Sequence, residues 1–256
     1  MIRYPYSLLD GEVTGHASFP ASDPPAAWTW DPPRKTILVG VDGAERGDDA
    51  IALGAVLADL LGCELRVVGR ADLVAMRRPV RAAVVTSPQA ARRLQTRAAW
   101  PVVVAPRGYA SEQRTVRYVG CGFDTSAASR AAWHEACAVT AAVSGELHVY
   151  AIREQHAFGF PGAPLGAGDL DELDRELGFF LHRELLTLVA SADPRLCVEP
   201  VLASGSPEEV LREATNTLDL LVVGASRHGP VSSFLLGSVA RGLLRDVRCP
   251  LMIVPG

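Results

Sequence analysis

The segment Leu221-Val222-Val223-Gly224-Ala225-Ser226-Arg227-His228-Gly229 is an apolar run that ends in glycine. Gly237-Ser238-Val239 follows it and leads to Cys249-Pro250-Leu251-Met252-Ile253-Val254. A strand ending in glycine, then a glycine-serine pair opening a helix, presents free backbone N–H groups to a phosphate or similar anion. The same glycines also suit a plain turn, and spacing alone leaves both readings open.

Other chemistry is harder to assemble. His228, beside the loop, could transfer a proton, but no paired base is spaced to work with it, so no catalytic residue is assigned. His148 falls within an apolar strand and reads as half-buried structure. None of the remaining histidines shares metal-ligand spacing with another ligand type, so no metal site is expected. The five cysteines, Cys63, Cys121, Cys137, Cys197 and Cys249, are odd in number and scattered, which fits free thiols in a reducing cytoplasm.

The elements that must position the glycine segment occur within an internal repeat. Lys35-Thr36-Ile37-Leu38-Val39-Gly40-Val41-Asp42 recurs in residues 116–124, with Gly40 over Gly122 and Asp42 over Asp124, an offset of 82. Toward the repeat ends, Trp100-Pro101-Val102-Val103-Val104 lies over Cys249-Pro250-Leu251-Met252-Ile253, with Pro101 over Pro250, an offset of 149. The first copy therefore lacks 67 residues from its middle. Gly237-Ser238 falls over Pro88-Gln89, where proline has no N–H to offer an anion. Three regions follow: a proline-rich and aromatic N-terminal arm, 1–34; a shortened, degenerate repeat, 35–110; and a complete repeat, 111–256.

In the complete repeat, strands are expected over residues 117–123, 146–152, 197–203, 220–223 and 251–254, with a helix over 129–143. A second helix carries Leu170, Leu173, Leu177, Phe180, Leu181, Leu185 and Leu188 on one stripe. Ser206-Pro207-Glu208-Glu209 predicts a capped helix start, with Ser206 and Glu209 closing a capping box. Near-continuous apolar strands alternating with helices imply a parallel α/β sheet covered on both faces. In such sheets ligands bind at the carboxyl ends of strands, where the strand order reverses.

Strand, Gly-x-x-Gly, nine residues, Gly-Ser, helix, Cys-Pro and a closing strand resemble the ATP-binding signature of the universal stress protein family. Gly224, Gly237 and Ser238 stand at the matching positions, and Arg227 stands where the family has its second glycine. The resemblance implies a Rossmann-like, adenine nucleotide alpha hydrolase-like open sheet of five parallel strands in the order 3-2-1-4-5. It also implies an internal pseudo-dimer of the two repeats, joined through residues 102–105 and 251–254, with homodimerisation as a further option. Asp124, with Gly122 and Phe123 before it, would then lie at the adenosine end of the ligand. Val149 would pack against adenine, and Gly224, Gly237, Ser238 and Val239 would face phosphate. Arg227 either pairs with phosphate or fills the pocket. The implied function is binding of ATP or another adenine nucleotide in the second repeat, as a regulatory signal, with Mg²⁺ arriving only with the nucleotide. Any hydrolysis would be slow. The alternative, favoured by Arg227, is a scaffold of the stress response that holds no nucleotide and acts through a protein partner that the sequence does not identify.

Composition bounds the remainder. With 48% apolar residues in 256, the chain can bury one or two substantial cores. A net charge of −4 and the lack of a dense basic patch argue against nucleic acid. No apolar run of membrane-spanning length and no secretory signal is read, so neither a membrane partner nor export is expected.

Overall fold

The computed structural model describes residues 36–41, 47–69, 72–73, 80–95, 99–112, 115–154, 167–225, 237–246 and 248–256, without the side chains of 167–174. The N-terminal arm, Asp42, Arg227 and His228 lie outside the described residues.

Nine strands form one sheet: β1 (Thr36–Val41), β2 (Glu64–Gly69), β3 (Ala82–Val85), β4 (Val102–Val104), β5 (Tyr118–Phe123), β6 (Glu146–Arg153), β7 (Cys197–Ser204), β8 (Leu220–Ala225) and β9 (Leu251–Pro255). Their order is β2-β1-β3-β4-β9-β8-β5-β6-β7. Every pairing is parallel except β4 with β9, where Val102 lies opposite Ile253 and Val104 opposite Leu251. The expected five-stranded sheet is thus one end of a larger one, because antiparallel pairing of two short terminal strands leaves neither of them as an open edge.

The helices are α1 (Gly47–Leu60), α2 (Pro88–Gln95), α3 (Ala127–Val143), α4 (Ala167–Ala190), α5 (Pro207–Ala214) and α6 (Ser238–Leu243). One sheet face packs Val39, Val119, Cys121, Val149 and Val222 with residues of α1, α3 and α4. The opposite face packs Val85, Leu221, Val223 and Ile253 with residues of α2, α5 and α6. The alternation of side chains along each strand feeds both layers, so the central strands are apolar throughout. The buried Gln95 side chain of α2 donates from Nε2 to the Ile253 carbonyl at 2.9 Å, fastening α2 to β9.

Two local expectations need correction. Ser206 and Pro207 do stand at the N-cap and first turn of α5, but the Ser206 side chain makes no cap hydrogen bond, so the capping box is not formed. The Glu208 carboxylate instead lies against Gly242 of α6, at a position a side chain there would occupy. On α4 the expected apolar stripe is buried only at its C-terminal end. Leu185 and Leu188 are buried, whereas Leu177 and Phe180 are 50% and 46% exposed. Leu181 is half-buried against the core, and Leu170 and Leu173 have side chains outside the described set.

Candidate functional site

Strand order reverses between β5 and β8, because the chain leaves β5 toward β6 on one side and returns through β8 on the other. At their carboxyl ends opens a cavity of about 320 Å³, a volume within the range of small-molecule sites. Phe123 and Asp124 from the end of β5, Gly224 from the end of β8, and Gly237, Ser238 and Val239 at the start of α6 all line it, as does Gly122. Seven of the nine expected site residues therefore share one crevice, although about a hundred residues separate β5 from β8 in sequence.

Val149 is a correction. It is fully buried in the core on the side of α1, α3 and α4 and does not line the cavity. Its neighbours Tyr150 and Ile152 do, since successive residues of a strand point to opposite faces. With Leu211 of α5 and Val223 they give the cavity an apolar wall. Tyr150 and Ile152 escaped notice because the polar alternation of Glu146 and His148 with Leu147 and Val149 stops at Tyr150-Ala151-Ile152, which is apolar on both faces.

Asp124 does two things at once. Its carboxylate accepts a hydrogen bond from the Ser126 N–H at 3.0 Å, closing the turn into α3, and the exposed side chain still borders the cavity. Between them Thr125 takes a φ of 67°, a left-handed conformation uncommon for a β-branched residue. Ser126 caps α3: its hydroxyl oxygen accepts from the Ser129 N–H at 3.1 Å, and the Ser129 hydroxyl donates to the Ser126 carbonyl at 3.0 Å. Both serines line the cavity. Ser126→Ala is expected to lower unfolding free energy by about 1 kcal/mol, the usual cost of a lost N-cap. Urea denaturation with an unchanged m-value would measure it.

At the other wall, Gly237 is the N-cap of α6 and has no side chain to cap it. The first intrahelical bond runs from the Arg241 N–H to the Gly237 carbonyl at 3.0 Å. The N–H groups of Ser238, Val239 and Ala240 therefore have no partner within the helix. All three residues line the cavity.

Gly224 lacks a side chain for a reason that the sequence did not disclose. A Cβ there would run into the Ala128 carbonyl group and stand 2.7 Å from the Ser129 nitrogen, so glycine is needed for close packing of β8 on α3. At Gly122, by contrast, an added Cβ would meet only side chains, Leu211 at 3.3 Å and Val223 at 3.6 Å.

The titratable groups among the described lining residues are Asp124, Tyr150 and Glu154. Cys121 and Cys137 stand in β5 and α3 with their thiols withdrawn from solvent. Burial holds the Cys121 thiol far above its usual range and pushes the Cys137 thiol up to about 12.

Residues 115–255 match the Universal stress protein family. Universal stress protein Rv2005c of Mycobacterium tuberculosis is 33% identical over 63 residues, which make up 25% of this chain and 21% of that protein, so the match spans about a fifth of the relative's length. Among solved structures, a universal stress protein from Archaeoglobus fulgidus DSM 4304 superposes with a TM-score of 0.58 at 12% identity, covering 87% of this chain and 99% of that one. A protein of unknown function from Pseudomonas aeruginosa PAO1 gives a TM-score of 0.55 at 12% identity over 88% and 93% of the two chains. At such identities the likeness is one of fold. The family match takes in more than half of the sequence and the whole of the cavity-bearing end of the sheet, and the chain belongs to the universal stress protein family.

Proposed function

We propose that the chain binds an adenine nucleotide in the cavity between β5, β8 and α6, and that the bound nucleotide is a regulatory signal rather than a substrate. The observation that carries this reading is the pairing, in one crevice, of an apolar wall with backbone donors. Tyr150, Ile152, Leu211 and Val223 suit a base, and the start of α6 offers N–H groups to the same cavity. Mg²⁺ would enter with the nucleotide's phosphates. Turnover at this site is proposed to be slow, the nucleotide acting as a signal.

The site is proposed for residues 111–256 only, with residues 35–110 as a shortened counterpart forming an internal pseudo-dimer. Strands β2-β1-β3-β4 follow the order of β6-β5-β8-β9, and β7 has no counterpart among the described residues. In the shorter half a Cβ on Gly40 would collide with the fully buried Leu73, so that side chain occupies the space above the first strand. The helix α2 begins at Pro88, which has no N–H. One nucleotide per chain is expected. The five cysteines, all unpaired, are compatible with a cytoplasmic location. Among the described residues no helix is long and apolar enough to cross a membrane.

Calorimetric titration of nucleotide-stripped protein with ATP and Mg²⁺ tests the proposal. Saturable binding near one per chain is expected. Gly237→Pro should weaken it roughly 10- to 100-fold, the effect of losing one hydrogen bond to a charged group. Gly237 has a φ of −54°, which proline accepts, and the variant removes the Gly237 N–H at the mouth of α6, next to those of Ser238, Val239 and Ala240. Absence of binding at millimolar ATP would instead support the scaffold reading. Arg227→Gly then separates the two roles of Arg227: weaker binding means that the guanidinium held phosphate, and tighter or new binding means that it blocked the pocket.

A further inference from the structure

On the cavity-facing side of the sheet, but at the opposite end of the strands, three ligand-type side chains meet. Glu146 and His148 are two residues apart on β6 and so project from one face. The parallel register sets His148 beside Glu199 of β7. His148 Nε2 lies 3.1 Å from a Glu146 carboxylate oxygen, and Nδ1 lies 3.7 Å from Glu199. One donor atom from each residue falls within 4.8 Å of the other two. The Tyr118 ring meets the imidazole edge-on with centroids 6.1 Å apart, and the Arg117 guanidinium lies over Tyr118 at 5.6 Å. Nε2 is sealed from solvent and makes no aligned hydrogen bond, so its contact with Glu146 is one of proximity.

We propose that Glu146, His148 and Glu199 bind a divalent transition-metal ion of the zinc class. Such an ion holds imidazole nitrogen and carboxylate oxygen at about 2.0–2.2 Å, so two donors sharing it stand about 3 Å apart. The His148 and Glu146 atoms already have that separation. One nitrogen with two carboxylates is a donor set for zinc, cobalt or manganese rather than for a soft monovalent ion. Three protein ligands leave a further position for water. The two carboxylates repel each other, and a divalent cation shared by both and by one ring nitrogen offsets that repulsion. The Glu199 side chain is 58% exposed, which gives an ion its approach from solvent. The sequence could not show this cluster, because Glu199 joins it only through the β6–β7 register.

The test is titration of the metal-free, full-length protein with Co²⁺, followed by visible absorption, then displacement by Zn²⁺. One saturable equivalent, displaced by Zn²⁺, is expected. His148→Gln and Glu199→Gln should each weaken that equivalent by at least about tenfold. Two controls should retain it: His182→Gln, on an exposed position of α4, and Cys197→Ser, which removes the exposed thiol two residues before Glu199 on β7. Thermal unfolding in chelator should give Glu199→Gln the transition of the parent protein, and added Zn²⁺ should raise the transition of the parent alone. Equal Co²⁺ uptake by the parent and both ligand variants would overturn the proposal, leaving His148 packed between two carboxylates with no ion. Loss of uptake in Cys197→Ser with retention in His148→Gln would overturn it too, assigning the metal to the thiol.

Discussion

Gly224→Ala is expected to lower the melting temperature by several degrees and to reduce nucleotide affinity with it. The added methyl group has no free volume, because the Ala128 carbonyl group and the Ser129 nitrogen, the latter 2.7 Å away, are backbone atoms of the first turn of α3. A side chain could rotate aside, but a helix turn must move as a unit. Overpacking of this kind costs about 1–3 kcal/mol. At roughly 2–4 °C per kcal/mol for a chain of this size, the shift is of the order of 5 °C. The displaced turn carries Ser126 and Ser129, which line the cavity, so the cavity deforms as well. Gly122→Ala provides the contrast. Its methyl group would press on the Leu211 side chain, which can yield, so affinity should fall with little change in melting temperature. Differential scanning calorimetry of both variants, paired with ATP titration, checks the distinction. A Gly224→Ala protein as stable as its parent would refute the packing account.

Arg81→Ala is expected to destabilise the chain by about 3 kcal/mol, since removing one partner of a buried ion pair strands the other. Arg81 immediately precedes β3 and is 5% exposed. It reaches Glu135 of α3, 54 residues on in the sequence, with 2.6 Å between guanidinium nitrogen and carboxylate oxygen. Glu135 is itself four-fifths buried, so solvent screens the pair weakly. Desolvation makes the intact pair less favourable than its separation suggests. Arg81→Met combined with Glu135→Met should therefore recover much of the stability lost by either single change. Chemical denaturation of the parent, the two single variants and the double variant closes the cycle and isolates the coupling. Additive losses would mean that the two residues do not act as a pair.

The glycine segment was legible because its message is local: an apolar strand, a glycine, and a glycine-serine pair at a helix start need only neighbouring residues to be recognised. Asp124 was legible for a similar reason, standing at the end of a strand whose repeat partner places Asp42 at the same point. Val149 was misplaced because face and residue type are decoupled in a strand buried on both sides. One residue of phase decides between core and cavity, and only the packing of α3 against one face and α5 against the other sets that phase. The Ser206 cap failed for a related reason. The helix begins where the serine, proline and glutamates predict, but its first turn faces α6, and Glu208 is drawn to Gly242.

By itself the sequence determined the alternation of strands and helices and the glycine and serine that open α6. Each of these rests on hydrophobic period or backbone permissiveness, both encoded over a few residues. The tertiary structure alone decided which side chains look into the cavity, why Gly224 must be glycine, that Arg81 pairs with Glu135, and that Glu199 stands beside His148. Those depend on strand register and helix placement, which bring together residues tens to more than a hundred positions apart, and no local pattern records a distance of that kind.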